Sequence, residues 1–312
     1  MSKSPPQDPE RLLRRLEWTV LRRLDGVLQG DYRTLVRGQG LDLADLREYQ
    51  YHDDVRRIDW NVTARMQTPW VREYHEEREV TAWFLLDLSP SVDIGNAERG
   101  KRAVATEFVA VLARLLTRHG NRVGAMFYGE KIDTVIAAKG GRRHVLSLLH
   151  RMQTRAPLAQ SAATDLGEFF GAAGDIMRRR SLVFLVSDFV SAPGWEDALA
   201  RLGRRHEVVA VHLVDELERS LPELGMLVIQ DAETGEHLFV DTSDKGFRRR
   251  FEAAAAKRER ELQLALRRAG VDMLELSTGE DLVDAVLRFA DMRKRERQSP
   301  TAVRPLRQET NA

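Results

Sequence analysis

The stretch "WFLLDLSPSVDIG" at residues 83–95 decides the fold. Four apolar residues run into Asp87, and serines follow at positions 89 and 91. A short, nearly continuous apolar run is typical of a β-strand that is covered on both faces, as in a parallel sheet between helices. The stretch therefore predicts a buried strand that ends in one carboxylate and two hydroxyl groups.

From residue 80 onward the sequence alternates between strand and helix patterns. Apolar runs predict strands at "RVGAMFY", "SLVFLVSD", "EVVAVHLVD" and "VDMLEL", and segments of helical periodicity lie between them. Antiparallel pairing is predicted for "KIDTVIA" beside "RVGAMFY", and a hairpin for "MLVIQDAETGEHLFVD". This order predicts an α/β fold, a doubly wound, mostly parallel sheet with helices on both faces.

Composition divides the chain into four segments. Residues 1–29 contain a disordered start and a helix docked on the body of the protein, with apolar residues at helical spacing: Leu13, Leu16, Val20, Leu24 and Leu28. Residues 30–79 mix aromatic, branched and charged residues, which predicts a small β-rich module. The α/β domain is predicted over residues 80–291, and the polar tail 292–312 is predicted to be disordered.

The overall composition argues against several classes of function. The 312 residues carry 49 basic and 48 acidic side chains, so there is no net field to attract nucleic acid or an anionic membrane. The chain has no cysteine, which excludes thiolate catalysis and cysteine-ligated zinc. No secretion signal is recognisable, and no apolar run is long enough for a membrane span. We expect a cytoplasmic protein.

Common catalytic motifs are missing from the sequence. It has no P-loop and no GxGxxG, and no Gly-x-Ser-x-Gly elbow supports Ser89 as a nucleophile. The histidines are scattered without zinc-site spacing, and most of them are predicted to be surface residues or hydrogen-bonded core residues. Basic runs alternate with acids, which argues against a nucleic-acid groove. The chain is therefore predicted not to be an enzyme.

Two of the most apolar predicted strands end in an aspartate, Asp87 and Asp188. Ligands of open α/β sheets bind at the carboxyl ends of the strands, near the point where the strand order reverses. Two carboxylates at one edge repel each other unless a cation lies between them or one takes up a proton. Thr164, in a loop of small residues before a helix, adds another oxygen donor.

Together, Asp87, Ser89, Ser91, Thr164 and Asp188 form an all-oxygen candidate metal site. Hard cations such as Mg²⁺ prefer oxygen ligands. Because hydroxyl ligands neutralise no charge, an ion held by them would strongly bind a carboxylate of another molecule. The set thus predicts a site for Mg²⁺ (or Mn²⁺) suited to adhesion. Alternatively, the serines are turn or helix-cap residues, and Asp188 is an ordinary strand-ending acid.

The pattern "DLSPS", Thr164 and "SDF" resembles the metal-ion-dependent adhesion site of von Willebrand factor A domains. The upstream segments "LREYQYHDDVRRIDWNVTAR" and "VREYHEEREV" resemble the signature of a bacterial family within that superfamily, domain of unknown function 58. The resemblance covers roughly residues 30–290. The chain departs from the family at His52, where a glycine is usual, and in lacking the transmembrane helices of many relatives.

The resemblance implies a von Willebrand factor A-like fold and a role for each candidate ligand. Asp87, Ser89 and Ser91 would ligate the ion, Thr164 would join when a partner docks, and Asp188 would hold a metal-bound water. It also implies two partners, a MoxR-type AAA+ ATPase that supplies energy and a client protein that donates Asp or Glu to the metal. The implied function is chaperone-like assembly or maturation of protein complexes.

Other interpretations stay open at this point. A metal-dependent phosphohydrolase could use Asp87, although enzymes of the haloacid dehalogenase type carry a second aspartate where this chain has Ser89. A scaffold protein without metal would bind its partner regardless of chelators. In the module at 30–79, the charged residues predict an ion-pair network that holds the module to the main domain with Trp60 buried, in preference to a metallonuclease site at "HDD".

Overall fold

The computed structural model describes residues 8–21, 24, 41–51, 53–76, 80–93, 99–156, 158, 164–230 and 237–298. The strands are β1 (Leu41–Glu48), β2 (Trp70–Glu76), β3 (Thr81–Asp87), β4 (Arg122–Tyr128), β5 (Ile132–Lys139), β6 (Leu182–Ser187), β7 (Glu207–Val214), β8 (Met226–Gln230), β9 (His237–Asp241) and β10 (Asp272–Ser277). The helices are α1 (Pro9–Leu16), α2 (Trp60–Met66), α3 (Pro90–Asp93), α4 (Lys101–Arg118), α5 (Arg142–Thr154), α6 (Leu166–Ile176), α7 (Glu196–Arg205), α8 (Glu216–Arg219), α9 (Lys245–Ala269) and α10 (Leu282–Gln298).

A six-stranded sheet in the order β10–β7–β6–β3–β4–β5 forms the centre of the fold. Neighbouring strands are parallel except β4 and β5, which pair antiparallel as predicted. The chain enters this sheet at β3, moves outward to β4 and β5, and then crosses back to β6 on the other side of β3. The strand order therefore reverses between β3 and β6, where ligands of such sheets bind.

Side chains of β3 alternate between two hydrophobic clusters on opposite faces of the sheet. Phe84 and Leu86 pack with residues of α1, α4, α5 and α10. Trp83 and Leu85 pack with residues of α6, α7 and α9. Because helices cover both faces, the strand must be apolar on both sides, which explains the continuous run in the sequence. The prediction of a mostly parallel α/β sheet with helices on both faces is confirmed.

Helix α1 packs on the main sheet layer, as predicted for this segment. Its buried leucines, Leu13 among them, join the cluster that includes α4 and α5. An ion pair between Arg15 and Glu107 (2.7 Å) ties the exposed side of α1 to α4. The α-helix ends at Leu16 and continues as a π-helical segment, Glu17–Leu21, and Leu24 is helical and buried as well. Leu28 and the predicted disordered start at residues 1–7 lie outside the described residues.

The segment before the main sheet contains the short strands that the sequence predicts. β1 and β2 pair antiparallel. Between them lie a 3₁₀ turn, Val55–Arg57, and α2, a helix that the sequence pattern did not predict. Asp59 caps α2, since its Oδ1 accepts from the N–H groups of Asn61 (3.0 Å) and Val62 (3.2 Å). Residues 30–40, 52 and 77–79 lie outside the described part.

Charged side chains pair within this segment, and the predicted hold on the main domain stays a prediction. Arg47 donates two hydrogen bonds of 2.8 Å to the carboxylate of Asp53. The prediction that Trp60 is buried is wrong, because its side chain is 70% exposed. The physical reason is its position as the first residue of α2, a helix without any buried side chain. The tryptophan therefore contributes no core packing here.

The carboxyl-terminal part contains the predicted hairpin strands and a helix longer than predicted. β8 and β9 pair antiparallel and leave Met226, Val228 and Phe239 largely exposed. Helix α10 continues to Gln298, beyond the domain end predicted at 291. The predicted disordered residues 299–312 lie outside the described ranges. Of the helices in those ranges, none is both long and apolar enough to span a lipid bilayer.

Candidate metal site at the sheet edge

The candidate site lies where the neighbouring strands β3 and β6 end. Asp87 is the last residue of β3, and Asp188 follows the last residue of β6. The two strands are parallel, so both carboxylates emerge at the same edge of the sheet. Both residues are buried, with exposed fractions of 1% for Asp87 and 6% for Asp188. The predicted convergence of the two acids is thus present.

A chain of short contacts joins Asp87 to Asp188 through the two serines. The N–H of Ser89 donates to Asp87 Oδ1 (3.0 Å), and the hydroxyl oxygens of Ser89 and Ser91 lie 3.0 Å apart. Ser91 Oγ donates to Asp188 Oδ1 (3.3 Å). Pro90 starts α3 between the serines, and its fixed φ suits the first position of a helix. Four of the five predicted donors therefore form one buried cluster.

Thr164, the fifth predicted donor, lies in the loop before α6. Its carbonyl oxygen accepts from Ala192 N–H (2.8 Å) and from Ser191 Oγ (2.9 Å), so its backbone is held next to the segment after β6. Its side-chain Oγ1 is buried and has no hydrogen-bond partner. A buried hydroxyl without a partner is costly and calls for an explanation such as a water or an ion. This oxygen is available to a ligand, although it does not hydrogen-bond to the other four donors.

The electrostatics of Asp87 disfavour its charged form. Burial, and then the nearby carboxylate of Asp188, raise the pKa of Asp87 to about 6. Hydrogen bonds from Ser187 Oγ (2.6 Å) and from Ser89 N–H oppose this rise but do not cancel it. A divalent cation between the two acids would counter both causes.

Lys101, which the sequence analysis did not single out, completes the site. Its side chain is 1% exposed, and Nζ donates to Asp188 Oδ2 (2.7 Å) and Glu218 Oε1 (2.5 Å). Burial opposes the charge, but the carboxylates of Asp188 and Glu218 outweigh it and raise the pKa of Lys101. The signal in the sequence is weak: a lysine opens the long apolar helix α4, at the helix end where a cation is unfavourable unless it is paired.

The residues present fit a hard divalent cation. Two carboxylates and three hydroxyl groups supply only oxygen, which Mg²⁺ and Mn²⁺ prefer. Lys101 holds one oxygen of Asp188, while the other faces Ser91. Asp87, Ser89, Ser91 and Thr164 could therefore hold an ion directly. We call the set of Asp87, Ser89, Ser91, Thr164, Asp188 and Lys101 the β3–β6 cluster.

A second polar cluster lies on the adjacent strands β7 and β10. His212 and Glu275 are register partners, and Glu259 of α9 joins them, with one ligand atom of each within 4.8 Å of the others. Arg219 of α8 donates to both carboxylate oxygens of Glu275 (2.8 and 2.5 Å). We call these four residues the β7–β10 cluster. The sequence analysis missed it because the residues are far apart along the chain.

Two histidines are exceptions to the prediction that most of them are surface residues or hydrogen-bonded core residues. His206 and His212 are buried, with exposed fractions of 3% and 8%. Neither ring nitrogen of His206 has a hydrogen-bond partner, and Nδ1 of His212 has none either. They are therefore neither surface residues nor fully hydrogen-bonded core residues.

Comparison with known proteins identifies relatives over most of the chain. The model of the family described as "Protein of unknown function DUF58" matches residues 45–261, a range that contains the whole β3–β6 cluster. Uncharacterized proteins of Mycobacterium tuberculosis and Mycobacterium bovis are each 36% identical over 283 residues, which cover 91% of this chain and 89% of theirs. An uncharacterized protein of Mycobacterium avium is 32% identical over 162 residues, covering 52% of this chain and 95% of its own.

Solved structures show only distant likeness. The conserved hypothetical protein BatB from Bacteroides thetaiotaomicron is 12% identical with a TM-score of 0.42, covering 69% of this chain and 99% of its own. An aerotolerance-related membrane protein from Bacteroides fragilis is 11% identical with a TM-score of 0.44, covering 70% of this chain and 99% of its own. Likenesses of this strength carry no conclusion about fold or function.

Proposed function

The chain belongs to the family described as protein of unknown function DUF58, and from this premise we propose that it is a non-enzymatic, Mg²⁺-dependent protein-binding module with a von Willebrand factor A-like fold. The observation that carries the proposal is the convergence of buried oxygen donors at the ends of β3 and β6. They meet where the strand order reverses, the place where sheets of this kind bind ligands.

In this proposal the residues of the β3–β6 cluster have different roles. Asp87, Ser89 and Ser91 would hold Mg²⁺ (or Mn²⁺), and the unpartnered hydroxyl of Thr164 supports its part as a further donor. Asp188, held from behind by Lys101, would act through a water molecule. A bound ion would supply a strongly electron-poor centre, because hydroxyl groups neutralise none of its charge. Such a centre favours an incoming carboxylate from a partner protein.

Binding is better supported than phosphoester hydrolysis. Lys101 is engaged by two carboxylates, and Asp87 accepts hydrogen bonds from Ser187 and Ser89. Ser89 and Ser91 share a contact with each other, and among the described residues neither contacts a histidine that could act as its base. No observation at this edge favours the phosphohydrolase alternative over adhesion.

We also propose the partners that the resemblance implies. The client protein would present Asp or Glu to the bound ion. A MoxR-type AAA+ ATPase would supply the energy for remodelling, in line with the missing P-loop in this chain. The combined function would be chaperone-like assembly or maturation of protein complexes. These proposals rest on the family membership and on the sequence signature.

Calorimetric titration with Mg²⁺ and Mn²⁺ tests the metal site. We expect the wild-type protein to bind one ion at the β3–β6 cluster and Asp87→Ala to lose this binding while staying folded, because it removes the one carboxylate proposed as a direct ligand. Asp197→Ala, which alters an exposed aspartate of α7, is the matched control and should bind normally. Equal affinity in the wild type and Asp87→Ala would refute the proposal.

Two further measurements separate the alternatives. Turnover of p-nitrophenyl phosphate that disappears in Asp87→Ala would indicate a phosphohydrolase. Capture of a purified MoxR-type ATPase or client that is equally strong in Mg²⁺ and in EDTA would indicate a metal-free scaffold. We expect no turnover and capture of the client only with the divalent ion.

A further inference from the structure

We propose that His212, Glu259 and Glu275 form a second metal site, which binds a divalent transition ion of the Zn²⁺ class. The site is separate from the β3–β6 cluster and does not depend on the function proposed for that cluster. Its residues come from β7, α9 and β10, so three elements of the fold converge on one point.

The sheet register brings two of the ligands together. His212 and Glu275 are directly paired residues of the parallel strands β7 and β10, so their side chains project from the same face. Helix α9 packs over this face and brings Glu259. One ligand atom from each of the three residues lies within 4.8 Å of the others, a separation that a shared ion can bridge.

The imidazole of His212 gives a second observation in favour of a ligand, because one of its ring nitrogens is buried without a hydrogen-bond partner. The residue is 8% exposed, and its Nδ1 is buried without a hydrogen-bond partner. Nδ1 lies 3.6 Å from Glu259 Oε2, which is longer than a hydrogen bond. A buried ring nitrogen that faces a carboxylate but does not bond to it is arranged to bind something placed between them.

The neighbours of the cluster hold its ligands in place. Gln263, one turn along α9, donates through Nε2 to Glu259 Oε1 (2.9 Å) and leaves Oε2 toward His212. The ring of Phe189 packs edge-on against the His212 ring, with 5.9 Å between centroids. Metal-binding carboxylates in proteins are usually fixed by such outer hydrogen bonds. The cluster therefore has the supporting shell that a metal site needs.

Arg219 is a cation that already faces the two carboxylates of this cluster. Its guanidinium donates to Glu275 and lies 3.6 Å from Glu259 Oε2, the oxygen nearest to His212. One positive charge against two carboxylates leaves one negative charge uncompensated, whereas a divalent ion would balance both. The Arg219 side chain is 43% exposed, so it can turn out to solvent when the ion enters.

The donor set selects the class of ion. An imidazole nitrogen with carboxylate oxygens suits Zn²⁺, Co²⁺ and related transition ions, whereas Mg²⁺ prefers oxygen alone. Three protein ligands leave a coordination position open, as in zinc sites that bind water or a substrate rather than in closed structural sites. The two clusters would thus take ions of different classes.

Co²⁺ titration in the Asp87→Ala background tests the inference without interference from the β3–β6 cluster. Metal-stripped protein is titrated with Co²⁺ and followed by its visible d–d absorption, and Zn²⁺ binding is measured by calorimetry. We expect one equivalent to bind, and Glu259→Gln and His212→Phe to lose it. Arg219→Gln should bind at least about tenfold more tightly, because the competing cation is gone.

The controls separate a metal site from an ion-pair network. Glu261→Gln changes an exposed glutamate on the same helix and should bind like the background protein. Circular dichroism and thermal unfolding show whether each variant is folded. If Arg219→Gln is folded but shows no Co²⁺ band, or if the band persists in Glu259→Gln, the second site does not exist. Mg²⁺ titration of the Asp87-intact protein reports only on the first site, so the two proposals fail separately.

Discussion

The β3–β6 and β7–β10 clusters lie on neighbouring strands of one sheet, and in each a Lys or Arg pairs with carboxylates, but the two cations differ in exposure. Lys101 is 1% exposed and lies between Asp188 and Glu218. Arg219 pairs with Glu275 but is 43% exposed. A sealed cation is part of the folded structure, whereas a cation with a path to solvent can be exchanged. The difference teaches that similar charges can serve stability in one place and binding in another.

Replacing Lys101 and Arg219 in turn should give the largest difference in unfolding free energy between the two clusters. Lys101→Met would leave Asp188 buried without its partner, which costs roughly 3–5 kcal/mol of unfolding free energy. Arg219→Gln should cost about 1 kcal/mol or less, because a partly exposed pair is screened by solvent. Urea denaturation of both variants measures the difference.

The double variant Lys101→Met/Asp188→Asn serves as the control. We expect it to recover part of the loss, since the unpaired buried charge is removed with its partner. If Lys101→Met costs less than about 1 kcal/mol, the view of Lys101 as a structural cation is wrong.

Mg²⁺ tests whether the β3–β6 cluster, with its buried Lys101, can still bind an ion. If the β3–β6 cluster accepts the ion despite its sealed lysine, Mg²⁺ at 100 times its dissociation constant should stabilise the wild-type protein by about 2.7 kcal/mol. Asp87→Ala should gain nothing, and Asp197→Ala should gain as much as the wild type. Thermal unfolding with and without Mg²⁺ checks this, and an absent wild-type shift would mean that the cluster is closed to ions.

His206 is a buried basic group that, unlike Lys101 and Arg219, has no acid hydrogen-bonded to it in the described part of the chain. Burial, and then Arg205 and Arg180, lower the pKa of His206 from 6.5 to about 4. Below pH 6.5 the ring of His206 is protonated in the unfolded chain but stays neutral in the folded protein. The stability that this group contributes at higher pH is therefore lost as the pH falls from 6.5 toward 4. Between pH 7.5 and pH 5 we expect His206 to account for about 2 kcal/mol of lost stability.

The variant His206→Phe isolates this effect. Its unfolding free energy should fall less than that of the wild type over the same pH interval, and the exposed His150→Phe serves as the control. Denaturant titrations at both pH values provide the measurement. Parallel curves for the wild type and His206→Phe would contradict the assigned cause.

The last comparison concerns backbone strain at a residue that packs against the β7–β10 cluster and at one far from it. In the described residues, Gln67 and Phe189 are the non-glycine residues with positive φ, both at 57°. Gln67 is exposed after α2, so Gln67→Gly should stabilise the protein by about 0.5–1 kcal/mol. Phe189→Gly should not, because it loses packing against Trp195 and His212. Chemical denaturation of the two variants should therefore give shifts of opposite sign.

The core of the fold was predictable because its signal is local. A strand buried on both faces needs an uninterrupted apolar run, and the acid that ends the run identifies the edge of the sheet. Asp87 and Asp188 were found in this way, and the serines followed from their spacing after Asp87. The β1–β2 segment was less predictable, since α2 is short and depends on the cap at Asp59 rather than on an apolar period.

The remaining site residues could not be predicted, because their roles depend on contacts between segments that are far apart in the sequence. Lys101 reaches Asp188 across 87 positions of the sequence. His212 meets Glu275 only through the register of β7 and β10, and Glu259 only through the packing of α9. Neither register nor helix placement is visible in the local pattern of a single sequence.

Helix α8 gives the two clusters a common attachment. It spans only Glu216–Arg219, and its last two residues point to different partners, Glu218 to Lys101 and Arg219 to Glu275. Because both residues belong to one short turn, a shift of its backbone would reach both clusters. If both proposed sites bind ions and this turn couples them, thermodynamic reciprocity requires that each ion changes the affinity of the other by the same factor.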